Sequence, residues 1–524
     1  MKRKDFLYGS IPAAAMLPDL INGYSIKAFN SQSPLVQALM RGNTLTDHVL
    51  VIVQLSGGND GLNMVIPVAD YSKYYNARTN VAIPENRVLP IAGVTGTGLH
   101  PSMTGLQGLF ADGKAKLIQA VGYPQPNFSH FRATDIWMSA SDSRQVLNTG
   151  WLGRFLDEMY PGFPIGYPNS TMTDPLAIQI GSVTSLTLQG AAQPMGMSIS
   201  NPSSFYSFVN NQIDPAPNSY AGKELSFVRE MSKQTQKFGE VIKAANAKVT
   251  TQSPYPTSNS LADQLKIVAR LIKGGLKTKI YMVNYGGFDT HSNQTVVADT
   301  SIGSHATLLG NVSNAIKAFM DDLKFQGVEE RVVGMTYSEF GRRILSNGST
   351  GTDHGAAAPL FVFGAMVQAG VSGTNPILPM KATVGDNVPY QYDFRSIYAS
   401  ILSNWLCVND TTLNNVMLKN FQKLPLTKLG TCSILNPVGN PDQLIVVYPN
   451  PFHKKVTIQF KSAGGHTMIQ VMDSAGRLVK ILIDANFEAG TFRVDFDGEH
   501  LPAGLYYIRL QNQVIQQVKS VIKI

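Results

Sequence analysis

The sequence predicts an α/β core, a mainly parallel sheet flanked by helices, followed by a small C-terminal β-sandwich. Three observations predict it. Near-continuous apolar runs of strand length recur between residues 50 and 363. Amphipathic helical patterns lie between them. After about residue 445 the texture changes to short, β-branched, alternating segments.

The first run, His48 to Leu55, reads HVLVIVQL, as a strand buried on both faces of a parallel sheet does. Similar runs follow at Lys116 to Val121, Ile280 to Val283, Arg331 to Thr336 and Leu360 to Phe363. In Ala306 to Lys324, residues Leu309, Val312, Ile316, Phe319 and Leu323 recur at three and four, giving one apolar helix stripe. Buried strands alternating with such helices imply layered α/β packing over residues 45 to 430. Residues 431 to 444 hold prolines, asparagines and a glycine, the chemistry of a linker. In residues 445 to 524, VTIQF, HTMIQVMD, RLVKILID, TFRVDF, LYYIRLQ and QVKSVIKI read as six or seven short strands separated by turn signals.

Composition narrows the function classes. Of 524 residues, 44% are hydrophobic and 15% charged, which is globular and not disordered. The net charge of +8 comes from scattered Lys and Arg, which argues against nucleic-acid binding. No run beyond the N-terminus approaches the ~18 apolar residues of a spanning helix, so no transmembrane helix is expected. Two cysteines, Cys407 and Cys432, exclude a cysteine-rich metal cluster. In an oxidising compartment they can pair; in a reducing one they are two buried apolar residues. Met1-Lys2-Arg3-Lys4 followed by FLYGSIPAAAMLPDLI has signal-peptide architecture over residues 1 to 30. A surface amphipathic helix is the alternative. RKDFLYGS also resembles a twin-arginine signal, and the export route stays open.

In an open α/β sheet, sites collect beyond the carboxyl ends of the strands. The loops there carry Ser56-Gly57-Gly58-Asn59-Asp60-Gly61, then Asn127-Phe128-Ser129-His130-Phe131-Arg132, then Gly286-Gly287-Phe288-Asp289-Thr290-His291. Ser338-Glu339-Phe340-Gly341-Arg342 and Gly351-Thr352-Asp353-His354-Gly355 complete the set. Carboxylates and imidazoles are ligands of divalent ions, and glycines let backbone approach a ligand closely. Of nine histidines, His130, His291 and His354 fall in these loops, and His305 starts the amphipathic helix. Each loop taken singly reads as an ordinary turn; together they point to a site.

Two resemblances extend this reading. YPNPF at 448–452, MDSAGRLVK, PAGLYYIRL and the terminal KSVIKI resemble the type A sorting domain of the type IX secretion system of the Bacteroidetes group. That implies the type IX machinery as a partner, passage through the periplasm, and delivery to the cell surface or the extracellular space. VQLSGGNDGLN, GLHPSM, GYPQPNFSHFRATDIW, TGWLGRFLD, GGFDTHSNQ, MTYSEFGRR, GTDHGAAAPLFVFG and YDFRSIYASIL resemble the domain of unknown function 1501, from about Leu50 to Leu406. More distantly, the core resembles the alkaline phosphatase and sulfatase superfamily. That likeness implies a divalent metal ion of open identity, with Asp60, Asp289, His291, Glu339, Asp353 and His354 as candidate ligands. It places Ser129, or a water, as nucleophile. His130 and Arg132, with Arg342, would hold an anionic phosphate or sulfate ester. Phe340 stands where that superfamily's histidine ligand is expected, so one ligand is missing. The reading is therefore a secreted metal-dependent ester hydrolase, with a non-catalytic surface binding or structural protein as the alternative and a metal-free sugar binder as a third.

Overall fold

Alternate residues of the first strand, β1 (Val49–Ser56), enter two different apolar cores. Val49, Val51, Val53 and Leu55 face one; Leu50 and Ile52 face the other. This is the period of two of a strand covered on both sides. The structure, a computed structural model, describes residues 46–202, 237–428, 432, 445–474, 477–512 and 516–524. The expected signal region and, apart from Cys432, the expected linker lie outside the described residues.

Around β1 stand β2 (Ala115–Gly122), β3 (Ala177–Ile180), β4 (Met197–Ile199), β5 (Ile280–Gly286) and β6 (Val332–Tyr337). A hairpin of β7 (Arg342–Ser346) and β8 (Thr352–His354) follows, then β9 (Ala358–Phe363), β10 (Gly370–Ser372) and β11 (Tyr392–Asp393). The nine-stranded sheet runs β10-β2-β9-β6-β1-β5-β3-β4, with β11 also beside β2. Every pairing is parallel except those of β9, which is antiparallel to β2 and β6. Because β9 runs against its neighbours, it begins at the edge where they end. The β7–β8 hairpin that leads into it is thereby placed at the carboxyl edge of the sheet.

Two helix layers cover the sheet. On one face lie α1 (Thr104–Ala111), α4 (Ser260–Lys273) and α5 (Ser304–Phe325). On the other lie α2 (His130–Ser139), α3 (Trp151–Met159), α6 (Phe394–Asn404) and α7 (Asp410–Met417). The α5 stripe read from the sequence, Leu309 to Leu323, is buried against β1, β2 and β5 residues. Each such side chain contributes about 1.5–3 kcal/mol by leaving water. Cys407 and Cys432 form a disulfide with a Cα–Cα distance of 5.3 Å across a separation of 25 residues. Closing a loop of that size constrains the unfolded chain by about 3 kcal/mol in the entropy model.

The chain divides into two units between Ile434 and Leu435. In the C-terminal unit five strands form an antiparallel sheet: Ile445–Tyr448, Lys455–Met472, Leu478–Asp497, Gly504–Asn512 and Gln516–Lys523. Segments that the sequence separates are joined here. VTIQF and HTMIQVMD, apart from its last Asp, belong to one 18-residue strand, and RLVKILID, apart from its first Arg, and TFRVDF come together in one of 20 residues. Both ends of the first long strand feed one core, through Val456, Ile458 and Phe460 and through Ile469 and Val471. No helix among the described residues is long and apolar enough to cross a membrane.

Candidate metal centre

The turn after β1 sets the floor of the site. Gly57 has φ 125°, and a β-carbon there would lie 2.4 Å from the Asp289 backbone nitrogen. Only glycine lets the loop after β5 come this close. The Gly57 N–H donates to Glu339 Oε1 at 2.8 Å, which ties the end of β6 to the same turn.

Asp289 is the hub. Its Oδ1 accepts from Arg342 Nη2 at 2.7 Å and lies 2.8 Å from His291 Nδ1 and 3.3 Å from His354 Nε2. Its Oδ2 lies 3.5 Å from His130 Nε2. Partial burial pulls the Asp289 pKa up, but the hydrogen bond and charge of Arg342, with the histidines, win and hold it at about 2. One ligand atom each from His130, Asp289 and His354 lie within 4.8 Å of one another. The Phe340 ring packs against both of these imidazoles, with centroids 4.9 and 4.5 Å away.

The two imidazoles are oriented from behind. His354 Nδ1 lies 2.8 Å from the Phe128 carbonyl oxygen. A carbonyl only accepts, so Nδ1 carries the proton and Nε2 keeps its lone pair when the ring is neutral. Burial, the largest influence, lowers the His354 pKa and favours that neutral form. His130 repeats the pattern, with Nδ1 2.9 Å from Glu339 Oε1 and Nε2 turned to Asp289. At His354, with the ring neutral, two acceptors, an imidazole lone pair and a carboxylate oxygen, face each other. Such an arrangement is satisfied by a cation between them. An oxygen acceptor behind each ligating imidazole is the usual second partner in metal sites.

The other expected residues divide. His291 is half-exposed and bonded to Asp289. Glu339 is buried and orients His130 in place of facing solvent as a ligand. Ser129 is the exposed N-cap of α2, and its hydroxyl makes no capping bond. Asp353 alternates with His354 along β8, and its Oδ1 accepts from Asn347 Nδ2 at 3.0 Å, outside the cluster. Asp60 is not brought to the cluster either. It is fully buried, and Arg78 Nη1 donates to its two oxygens at 2.8 and 2.7 Å while Gln294 Nε2 donates to Oδ2 at 2.6 Å. The two arginines expected to hold an anion are both engaged elsewhere. Arg132 Nη2 donates to the Ser141 hydroxyl and to the carbonyls of Asp142, Ser143 and Gln145, closing that loop. Arg342 is buried and donates to the carbonyls of Gly57, Gly58, Phe288 and Thr352 as well as to Asp289. His305, buried at the start of α5, bonds Asn59 Oδ1 through Nε2 at 2.9 Å. Sequence reasoning missed Arg342 as the clamp on Asp289 and the Phe128 carbonyl behind His354. The first had a signal, an arginine directly after the Ser-Glu-Phe-Gly turn; the second, a backbone atom, had none.

Residues 47–413 match the model of a family described as a protein of unknown function, DUF1501. The chain belongs to that family. Residues 446–524 of this DUF1501 protein match the secretion system C-terminal sorting domain. A tail of that kind implies handling by the type IX system and export to the cell surface or the extracellular space. No curated protein matches the chain. Among solved structures, PorZ, a surface component of the type IX secretion system of Porphyromonas gingivalis, is 22% identical, with TM-score 0.13. That match covers 19% of this chain and only 13% of PorZ. A sulfatase from Pseudoalteromonas sp. is 9% identical over 88% of this chain and 86% of its own, with TM-score 0.31. A protein in the alkaline phosphatase superfamily from Vibrio parahaemolyticus is 9% identical over 84% and 82%, with TM-score 0.32. Likenesses at these TM-scores carry no functional weight.

Proposed function

We propose that the core is a divalent-cation-dependent hydrolase of phosphate or sulfate esters, exported by its C-terminal tail, with His130, Asp289 and His354 as the cation ligands. One observation carries this reading. The outer nitrogens of His130 and His354 are tied to oxygen acceptors, and their inner nitrogens converge on one carboxylate. Two imidazole nitrogens and a carboxylate suit a borderline divalent ion, and three protein ligands leave room for a substrate oxygen. A bound cation would polarise the ester and lower the pKa of a nearby hydroxyl or water.

The chain's own groups supply the rest. Asp289, with its pKa at about 2, is ionised at neutral pH, and Arg342 fixes its direction. The first N–H groups of α2 face the end that Ser129 caps, where partial positive charge favours an anionic ester. The Ser129 hydroxyl, exposed to solvent, gives its proton to water as its oxygen attacks phosphorus or sulfur, and the bond to the alcohol oxygen breaks. His291, held through Nδ1 by Asp289, protonates that oxygen. Water then cleaves the serine ester, so the sum is ester plus water giving alcohol and the free anion.

The test is a screen of aryl phosphates, sulfates and phosphonates with added divalent ions, using wild type, Ser129→Ala and His354→Ala. Turnover should require the ion and fall by at least about 100-fold in His354→Ala, beyond the 10–100-fold typical of outer partners. No turnover with any ion, or an unchanged rate in His354→Ala, would count against hydrolysis.

A further inference from the structure

Phe131 follows His130 in the first turn of α2, and its side chain is 87% exposed. The loop before it is stiff. Pro124 and Pro126 fix their own φ. The Asn127 N–H donates to the Tyr123 hydroxyl, and the Asn127 side-chain oxygen accepts from the Ser129 N–H. A phenyl ring left in water forgoes about 1.5–3 kcal/mol of burial. Here the backbone holds it out beside Ser129 and His130.

A second segment of the same character borders the same elements. Met380, Val384 and Tyr390, on the connection between β10 and β11, are 76%, 67% and 42% exposed. The Val384 carbonyl accepts from Arg343 Nη1, and Arg343 Nε donates to the His354 carbonyl at 3.2 Å. At its other end, Tyr390 packs so near Gly122 that a β-carbon there would stand 3.0 Å from the Tyr390 Cβ. Gly122 opens the loop that leads to Ser129. The apolar connection is thus pinned to the hairpin that carries His354 and to the loop that leads through Ser129 into α2 and Phe131. Exposed apolar groups concentrated beside a polar site mark a ligand surface better than scattered ones do.

We propose that the site takes anionic esters whose organic part is apolar, an alkyl or aryl body, with Phe131 as the residue that binds this body. This rests on the ester-hydrolase reading above. Phenyl, thioether and isopropyl groups reward removal of CH₂ groups from water and offer a hydroxyl-rich sugar little to bond.

The experiment uses the full chain loaded with a divalent ion and measures binding of inorganic phosphate and of n-alkyl phosphates and sulfates from ethyl to octyl, below micelle formation. Aryl esters and glucose 6-sulfate are the comparison arms. Affinity should rise about two- to fourfold per methylene in wild type. Phe131→Ser, checked for an unchanged melting curve, should flatten that rise while inorganic phosphate binding persists. Phosphate binding with no dependence on chain length, a slope kept in Phe131→Ser, or tighter binding of glucose 6-sulfate than of hexyl sulfate would overturn the inference alone. Failure of every anion to bind would take the hydrolase reading down with it.

Discussion

Asp60 and Asp289 follow neighbouring strands, β1 and β5, beside glycines, and each meets an arginine, yet they come to opposite ends. At Asp60 both oxygens are taken, by Arg78 and Gln294, with no access to water. Burial pushes its pKa up, and the adjacent Arg78 guanidinium outweighs that and keeps the carboxyl below its ordinary range. At Asp289, Arg342 takes Oδ1 alone, Oδ2 faces His130, and half of the side chain is exposed. Neither residue type nor turn separates a structural aspartate from a candidate ligand. The number of oxygens left without a donor does.

The largest effect should come from breaking the sealed pair. Arg78→Met leaves Asp60 charged, buried and unpaired, which costs about 3–5 kcal/mol. Urea unfolding of the core measures it. Were Asp60 a ligand instead, the same change would mainly weaken cation binding and leave stability almost intact.

A pH series sharpens the contrast. His100 and His305 lie beside the sealed pair, and burial, foremost, lowers their pKa values to about 3 and about 4 from 6.5. A lowered pKa means the folded state prefers the neutral ring. Stability is therefore complete above pH 6.5 and falls as pH drops from 6.5 toward those values. Each histidine adds up to about 1.4 kcal/mol per pH unit to that loss. His48 and His354, also lowered, add to the slope. Asp289 gives up its share at lower pH, as pH falls from 3.8 through about 2. Unfolding free energy that stays flat between pH 6.5 and pH 4.5 would remove this account of the buried side, whereas His305→Gln should reduce the slope. The smallest expected effect is on the open side. Glu339→Gln should weaken cation binding by about 10–100-fold.

The strands at β1, β2, β5, β6 and β9 and the α5 stripe were legible because each is a long run of one periodicity. β3 and β4, of four and three residues, are too short to stand out. In the tail, turn-like glycines at 464 and 465 hid the continuity of one long strand. At the site, Asp289, His291 and His354 were legible because glycines flank them at strand ends. Asp60 has the same local signature, but its fate depends on Arg78, 18 residues away, and on Gln294, 234 away. Arg132 likewise lies beside His130, in the first turn of α2, and turns to the loop after that helix. Which way a guanidinium reaches is decided by tertiary packing, and a single sequence does not display it.

The proposed chemistry depends on one divalent cation shared by His130, Asp289 and His354. Its most direct test is calorimetric titration of metal-stripped full-length protein with zinc and manganese, comparing wild type with His354→Ala. The wild type should bind a divalent ion with release of heat, and His354→Ala should lose that binding while melting as the stripped wild type does. Absence of binding up to millimolar ion, or equal binding by His354→Ala, would contradict it.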